Sequence, residues 1–235
     1  MKAYLEQTRS LAFSLIAIAP LILFYELFIV NFNGTAIRNA AEKLIKDALA
    51  QTGLIFLWQL ALVYLAITLV IVFYSMHKKQ FQFPRPAYWG GLVIESLFYA
   101  TFFGVGTRYL TQIVLSLQAA ADYGEPAIFH EILLAIAAGV YEEILFRLIL
   151  LGSILFIFRK IWPTKPIIHA AVASAIAASI FAIFHYPGIV AVTWDSFMFR
   201  LIAGWLLGLL FIYRGLAVTV YTHAFYDILY ILNAI

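Results

Sequence analysis

The sequence predicts an all-α protein, a polytopic transmembrane helix bundle of about 7–8 spans with an amphipathic helix on the membrane surface. Three observations predict it. Hydrophobic residues make up 65% of the 235 residues and charged residues 11%, against roughly 45–50% and about 25% in a soluble domain. The mean hydropathy is +0.97. The apolar residues fall into long runs separated by short basic or proline-bearing loops, and a helix needs about 20 such residues to cross a bilayer. No room remains for a sizeable soluble domain, so residues 1–235 read as a single integral membrane domain. The absence of cysteine excludes disulfides, a thiol nucleophile and Cys-ligated metal. The net charge of +3 sits mostly in short loops, which suits anionic lipid headgroups and not nucleic acid.

In chain order, Lys2 and Arg9 precede a first span from Leu11 to Phe32, too long for the apolar core of a signal peptide. Glu26 falls in its second half, near an interface. Thr35 to Ala50 places Ile37, Ala41, Leu44, Ile45, Ala48 and Leu49 on one helical face, with Arg38, Lys43, Lys46 and Asp47 between them. This pattern predicts the helix lying on the membrane surface. Leu54 to Met76 is an uncharged second span. A basic loop with Pro84 and Pro86 leads to a third stretch, Trp89 to Leu117, containing Glu95 and Arg108, which read as packing or interfacial charges. The central span, Phe129 to Phe158, ends at Arg159, Lys160 and Pro163. Ile167 to Tyr186 is rich in Ala and Ser, which favours close packing in lipid, and Phe197 to Tyr213 carries Gly204 and Gly208 at small-xxx-small spacing. Arg214-Gly215 makes a tight turn into the last span, Leu216 to Ile235. Loop Lys and Arg residues gather on the side of the N-terminus, which the positive-inside rule places in the cytoplasm. The expected location is the cell membrane.

Within the central span, Glu142, Glu143 and Arg147 interrupt an otherwise apolar run from Ile132 to Phe158. An ionisable residue at mid-membrane costs roughly 2.5–3.5 kcal/mol on insertion scales, so such residues face a bundle interior or a wet cavity. Glu143 and Arg147 are four apart with the acid first, the favourable order for a helix ion pair. Glu142, about 100° away at ~3.6 residues per turn, needs another partner. Two later helices carry further polar pairs at the same spacing, Phe181 with His185 and His223 with Asp227. His77, His130 and His169 sit at ends or loops and take no role. Each set alone is compatible with a structural hydrogen bond or charge cluster. Three sets on three late helices point to one buried polar site.

Two acids and two imidazoles are equipment for moving protons and activating water. Alternatives are thin. No His-Glu-x-x-His occurs, since His130-Glu131 lacks the second His. Gly152-Ser153 does not make a nucleophile elbow. No Gly-rich phosphate loop is present. A water activated by Glu and His and attacking a carbonyl is the best fit.

Glu142-Glu143-x-x-x-Arg147, then Phe181-x-x-x-His185, then His223-x-x-x-Asp227, in that order, resembles the CPBP family (CAAX protease and bacteriocin-processing, or ABI, proteins). It includes CAAX-prenyl endopeptidases of the Ras-converting type and bacteriocin-immunity relatives. The resemblance covers about Ile128 to Ile235 and makes 128–235 the expected catalytic core, with 1–127 a variable N-terminal part. It implies a glutamate-type intramembrane endopeptidase acting on a membrane-anchored protein or peptide. By this resemblance Glu142 and His185 activate the water, Glu143 and Arg147 form a supporting ion pair, and His223 with residue 227 stabilises the oxyanion. The family pattern commonly ends in Asn where this chain has Asp227. An ionised Asp cannot donate to an oxyanion. Asp227 is therefore either protonated, or it accepts from His223 and orients that ring; the second is the expectation. No cofactor is implied, with zinc at Glu142, His185 and His223 as the alternative. Two other readings use the same cavity: a non-catalytic membrane immunity or partner-binding protein, and a proton-coupled transporter, for which repeat symmetry is missing.

Overall fold

The computed structural model describes residues 2–29, 38–53, 60–81, 83–114, 128–161, 166–186 and 193–233, and the regular structure among them is entirely helical. The helices are α1 (Lys2–Thr8), α2 (Leu11–Ile29), α3 (Ala40–Ala50), α4 (Leu60–His77), α5 (Pro86–Val114), α6 (Ile128–Ala137), a π-helix here named π1 (Ala138–Leu151), α7 (Gly152–Ile161), α8 (Pro166–Phe184), α9 (Trp194–Arg214) and α10 (Leu216–Ile231).

Five of these, Leu11–Ile29, Leu60–His77, Pro86–Thr107, Pro166–Phe184 and Trp194–Arg214, are long and apolar enough to cross a membrane. The chain is an integral, multi-pass membrane protein. The seven to eight spans expected from hydropathy are supported for these five. The last expected span is a helix of 16 residues. The central one, continuous from Ile128 to Ile161, changes winding twice and carries Glu142, Glu143 and Arg147 in the middle segment.

The bundle is organised around α10, whose buried face runs from Leu216 to Ala224. On one side α2 meets it: the Ala217 backbone N–H donates to Ser14 Oγ at 3.1 Å and the Tyr221 hydroxyl to the Ala17 carbonyl at 2.8 Å. On another side α5 packs Leu92 against Val218 and Ala217. The turn from α9 to α10 is made by Gly215 at φ +82°, where an added Cβ would lie 2.9 Å from the Arg9 carbonyl oxygen. Only glycine fits both the left-handed backbone and that approach. Just before it, Arg214 forms a two-pronged ion pair with Glu95 of α5, Nε to Oε1 at 2.5 Å and Nη2 to Oε2 at 2.8 Å. The Tyr4 hydroxyl joins at 2.6 Å. Glu95 is thus an internal tie between α5 and α9, while the side chain of Arg108 lies outside the described residues.

Close contact between α8 and α9 follows from small residues, as the Ala/Ser-rich sequence predicts. A Cβ on Gly204 would stand 2.9 Å from a Phe181 ring carbon, and one on Gly208 would stand 3.1 Å from Ser174 Oγ.

Beyond its amphipathic pattern, α3 carries internal charges: Lys43 and Asp47 are exposed, whereas Glu42 and Lys46 are buried. The charges are satisfied from within: Lys46 Nζ donates to Glu42 Oε1 at 2.5 Å and to Glu26 Oε1 at 3.1 Å. Arg38 Nη1 reaches Glu42 Oε1 at 2.7 Å, and the Tyr25 hydroxyl donates to Glu42 as well. Glu26 is therefore an internal partner of α3 and of Tyr141. Burial of charge is tolerated because each ion has a counter-ion.

Candidate active site

The site is built where π1 crosses α10. Gly139 allows the crossing: a Cβ there would lie 2.8 Å from both the Cβ and the backbone N of Ala224, and 2.9 Å from the Val220 carbonyl. With the backbones in contact, Glu143 reaches His223 on α10. The hydrogen bonds of a π-helix run from i to i+5, and such winding concentrates at functional sites. Here it extends over 14 residues. The α-helical spacing assumed from sequence is replaced, but residues four apart still meet, and the two adjacent glutamates still point to different neighbours.

Glu143 is fully buried. Its Oε1 receives two charged or polar groups, Arg147 Nη1 at 2.8 Å and His223 Nδ1 at 2.6 Å. Arg147 is 2% exposed. Its guanidinium carbon lies 4.5 Å from the centre of the Phe181 ring, and Nη2 reaches the Gly204 carbonyl at 3.4 Å. This one side chain therefore joins π1, α8 and α9. A planar donor with both faces and edges in use suits arginine and not lysine.

His223 presents its second nitrogen, Nε2, to Asp227 Oδ2 at 3.5 Å. Asp227 was expected to accept from His223 and orient the ring, and the ring has a second carboxylate partner at its other nitrogen. Nδ1 is held by Glu143 at the shorter distance, so Glu143 sets the ring plane and Asp227 stands at the nitrogen that remains.

Glu142 faces the other way. Its Oε2 lies 3.8 Å from His185 Nε2. His185 follows the last residue of α8, and its Nδ1 is 2.8 Å from the Phe181 carbonyl, one of those a helix end leaves without a backbone partner. A carbonyl only accepts, so Nδ1 carries the hydrogen and the neutral ring keeps its lone pair on Nε2, toward Glu142. The other carboxylate oxygen, Oε1, accepts from Asn39 Nδ2 at 2.8 Å.

The structure thus places the six sequence-derived residues in two polar sets that start from adjacent positions of π1: Glu143 with Arg147, His223 and Asp227, and Glu142 with His185. Asn39 was missed. Its sequence signal is local: an Asn just ahead of a helix is an N-cap, and nothing nearby announces a contact to residue 142. Among the described residues no three His, Asp or Glu side chains are arranged to hold a metal ion.

Residues 125–229 match the family model of the Rce1-like, type II CAAX prenyl endopeptidases. The resemblance to CAAX proteases read from the three motifs is therefore shown for the second half of the chain. No curated protein and no solved structure matches the chain. The CAAX-protease-like region holds Glu142, Glu143, Arg147, His185, His223 and Asp227, while Asn39 and α3 lie outside it.

Proposed function

We propose that the chain is an intramembrane endopeptidase of the glutamate type, hydrolysing a peptide bond of a membrane-anchored protein or peptide. One observation carries the reading. Glu142 Oε2 and His185 Nε2 face each other at 3.8 Å, while Oε1 is occupied by Asn39 and Nδ1 by the Phe181 carbonyl. Two lone pairs directed at a common point call for a shared donor, and a water molecule is the donor that fits within hydrogen-bond reach of both.

Such a water donates one hydrogen to Glu142 and the other to His185, leaving its own lone pair free. As its oxygen bonds to the scissile carbonyl carbon, Glu142 takes the proton. The carbonyl oxygen becomes an oxyanion. His223 has a carboxylate acceptor at each nitrogen, Glu143 at Nδ1 and Asp227 at Nε2, so each nitrogen has a partner to donate to. Its Nε2–H donates to the oxyanion. Collapse breaks the C–N bond, Glu142 returns the proton to the leaving nitrogen, and an acid and an amine result. General acid–base transfer of this kind contributes about 10²–10⁴-fold and one oxyanion donor about 10²–10³-fold. Glu143 and Arg147 touch neither water nor substrate in this scheme; they hold His223 and the helices in place. The reaction as written uses no metal.

The matched family's description names a prenylated CAAX substrate, and a lipid-modified C-terminus is the substrate class we propose. The test compares C-termini of membrane proteins in cells expressing wild type or Glu142→Gln at equal levels. New C-termini present only with wild type support a peptidase. Identical termini overturn the reading in favour of a partner-binding protein, which keeps its function in Glu142→Gln.

A further inference from the structure

We propose that Asn39 is a positioning residue for Glu142, so that the N-terminal part of the chain completes a site whose other residues all lie in the CAAX-protease-like region. The inference rests on the peptidase reading and adds to it a group that none of the three motifs contains.

Both ends of the Asn39 amide are committed. Its Oδ1 accepts from the backbone N–H of Ala41 at 2.9 Å and of Glu42 at 3.2 Å, capping α3, while Nδ2 donates to Glu142 Oε1 at 2.8 Å. Turning the amide over would set its oxygen against a carboxylate and its NH₂ against two backbone donors, so the orientation follows from chemistry.

The cap itself cannot drift. Glu42 is held by Arg38, Lys46 and Tyr25, and Lys46 in turn reaches Glu26. Tyr141, the neighbour of Glu142 on π1, donates to the same Glu26 Oε1 at 3.0 Å. Asn39 and Glu142 are thus fixed relative to each other by a second, separate set of contacts.

The consequence falls on the Glu142 carboxyl. The terminal torsion of a glutamate is broad and weakly preferred. With Oε1 pinned to Asn39, Oε2 is the oxygen that meets His185. Without the amide the carboxyl can turn, and the alignment with the water is lost.

Serine separates the two duties of residue 39. It is a good N-cap, but its hydroxyl is too short to replace the amide NH₂ at Glu142. The chain and its variants are reconstituted in vesicles of phosphatidylcholine and phosphatidylglycerol. The probe is an internally quenched peptide ending in a prenylated Cys-aliphatic-aliphatic-X sequence. Asn39→Ser is expected to stay folded at the assay temperature, keep its KM and lose roughly ten- to hundredfold in kcat, the loss expected for one hydrogen bond to a charged group. Asn39→Ala is expected to show the same kcat and a lower melting temperature, because the cap is gone as well. Wild-type kcat in Asn39→Ser overturns the proposal, as does a fall in kcat that only follows a fall in melting temperature. If wild type leaves the peptide uncut, the peptidase reading fails for this substrate class, and the contact is read by a thermal double-mutant cycle of Asn39→Ser with Glu142→Ala. Non-additive shifts uphold the positioning contact; additive shifts overturn it.

Discussion

His223 Nδ1 lies 2.6 Å from Glu143 Oε1, on the same oxygen that holds Arg147 at 2.8 Å. A single carboxylate therefore neutralises a buried guanidinium and fixes the imidazole assigned to the oxyanion. The adjacent Glu142 does neither. The neighbours are expected to fail in different ways when changed.

Glu143→Gln removes the counter-charge of a buried Arg147. Breaking a buried ion pair from one side costs about 3–5 kcal/mol. The expected outcome is a large fall in melting temperature. Glu142→Gln, whose carboxylate faces His185 and Asn39, is expected to melt near wild type with activity abolished. Thermal melts of the two purified variants check this, and equal destabilisation would contradict it.

At the helix crossing, Gly139→Ala places a methyl 2.8 Å from Ala224 and 2.9 Å from the Val220 carbonyl. Overpacking of this kind costs about 1–3 kcal/mol. Because π1 must move off α10, the Glu143–His223 contact lengthens, and activity is expected to fall further than stability alone explains. Activity measured well below the melting temperature of the variant separates the two effects.

Asp227 stands 3.5 Å from His223 Nε2 without setting the ring plane. Asp227→Asn is therefore expected to retain substantial activity, with the amide able to donate where the carboxylate cannot. His223→Ala is expected to lose about 10²–10³-fold, the value of one oxyanion donor. Equal losses in cleavage rate would sink the assignment.

Away from the site, Glu95→Ala strips the two-pronged partner from Arg214 and the acceptor from the Tyr4 hydroxyl. The expected outcome is a stability loss of about 3–5 kcal/mol, recovered in part by adding Arg214→Ala, with cleavage chemistry unchanged at low temperature. Denaturation of the single and double variants reads the coupling.

The inward contacts of these polar residues were legible in the sequence because charge in an apolar run has few places to go. Glu142, Glu143, Arg147, His223 and Asp227 each had to turn inward, and turning inward brought them together. His185 was harder, since a histidine at a span's end is also an ordinary interfacial residue; its bond back to the Phe181 carbonyl is what directs it. The tight α8–α9 contact was readable from Gly204, Gly208 and the Ala/Ser-rich helix facing them. Three features were not readable. The π winding of Ala138–Leu151 has no residue signature of its own, and it splits the central span. The inward charges of α3 depend on Glu26 and Tyr25 of another helix, which periodicity within α3 cannot reveal. Asn39 signals its cap locally, but its second bond spans 103 residues of sequence.

On the proposed mechanism Glu142 and His185 together activate water. Its most direct test is cleavage of the prenylated, internally quenched peptide by purified, chelator-treated chain in vesicles, comparing wild type with Glu142→Gln and His185→Ala. The account predicts cleavage by wild type and losses of about 10²–10⁴-fold or more in each variant, with folded, wild-type-like melts. Wild-type rates from folded Glu142→Gln would contradict it.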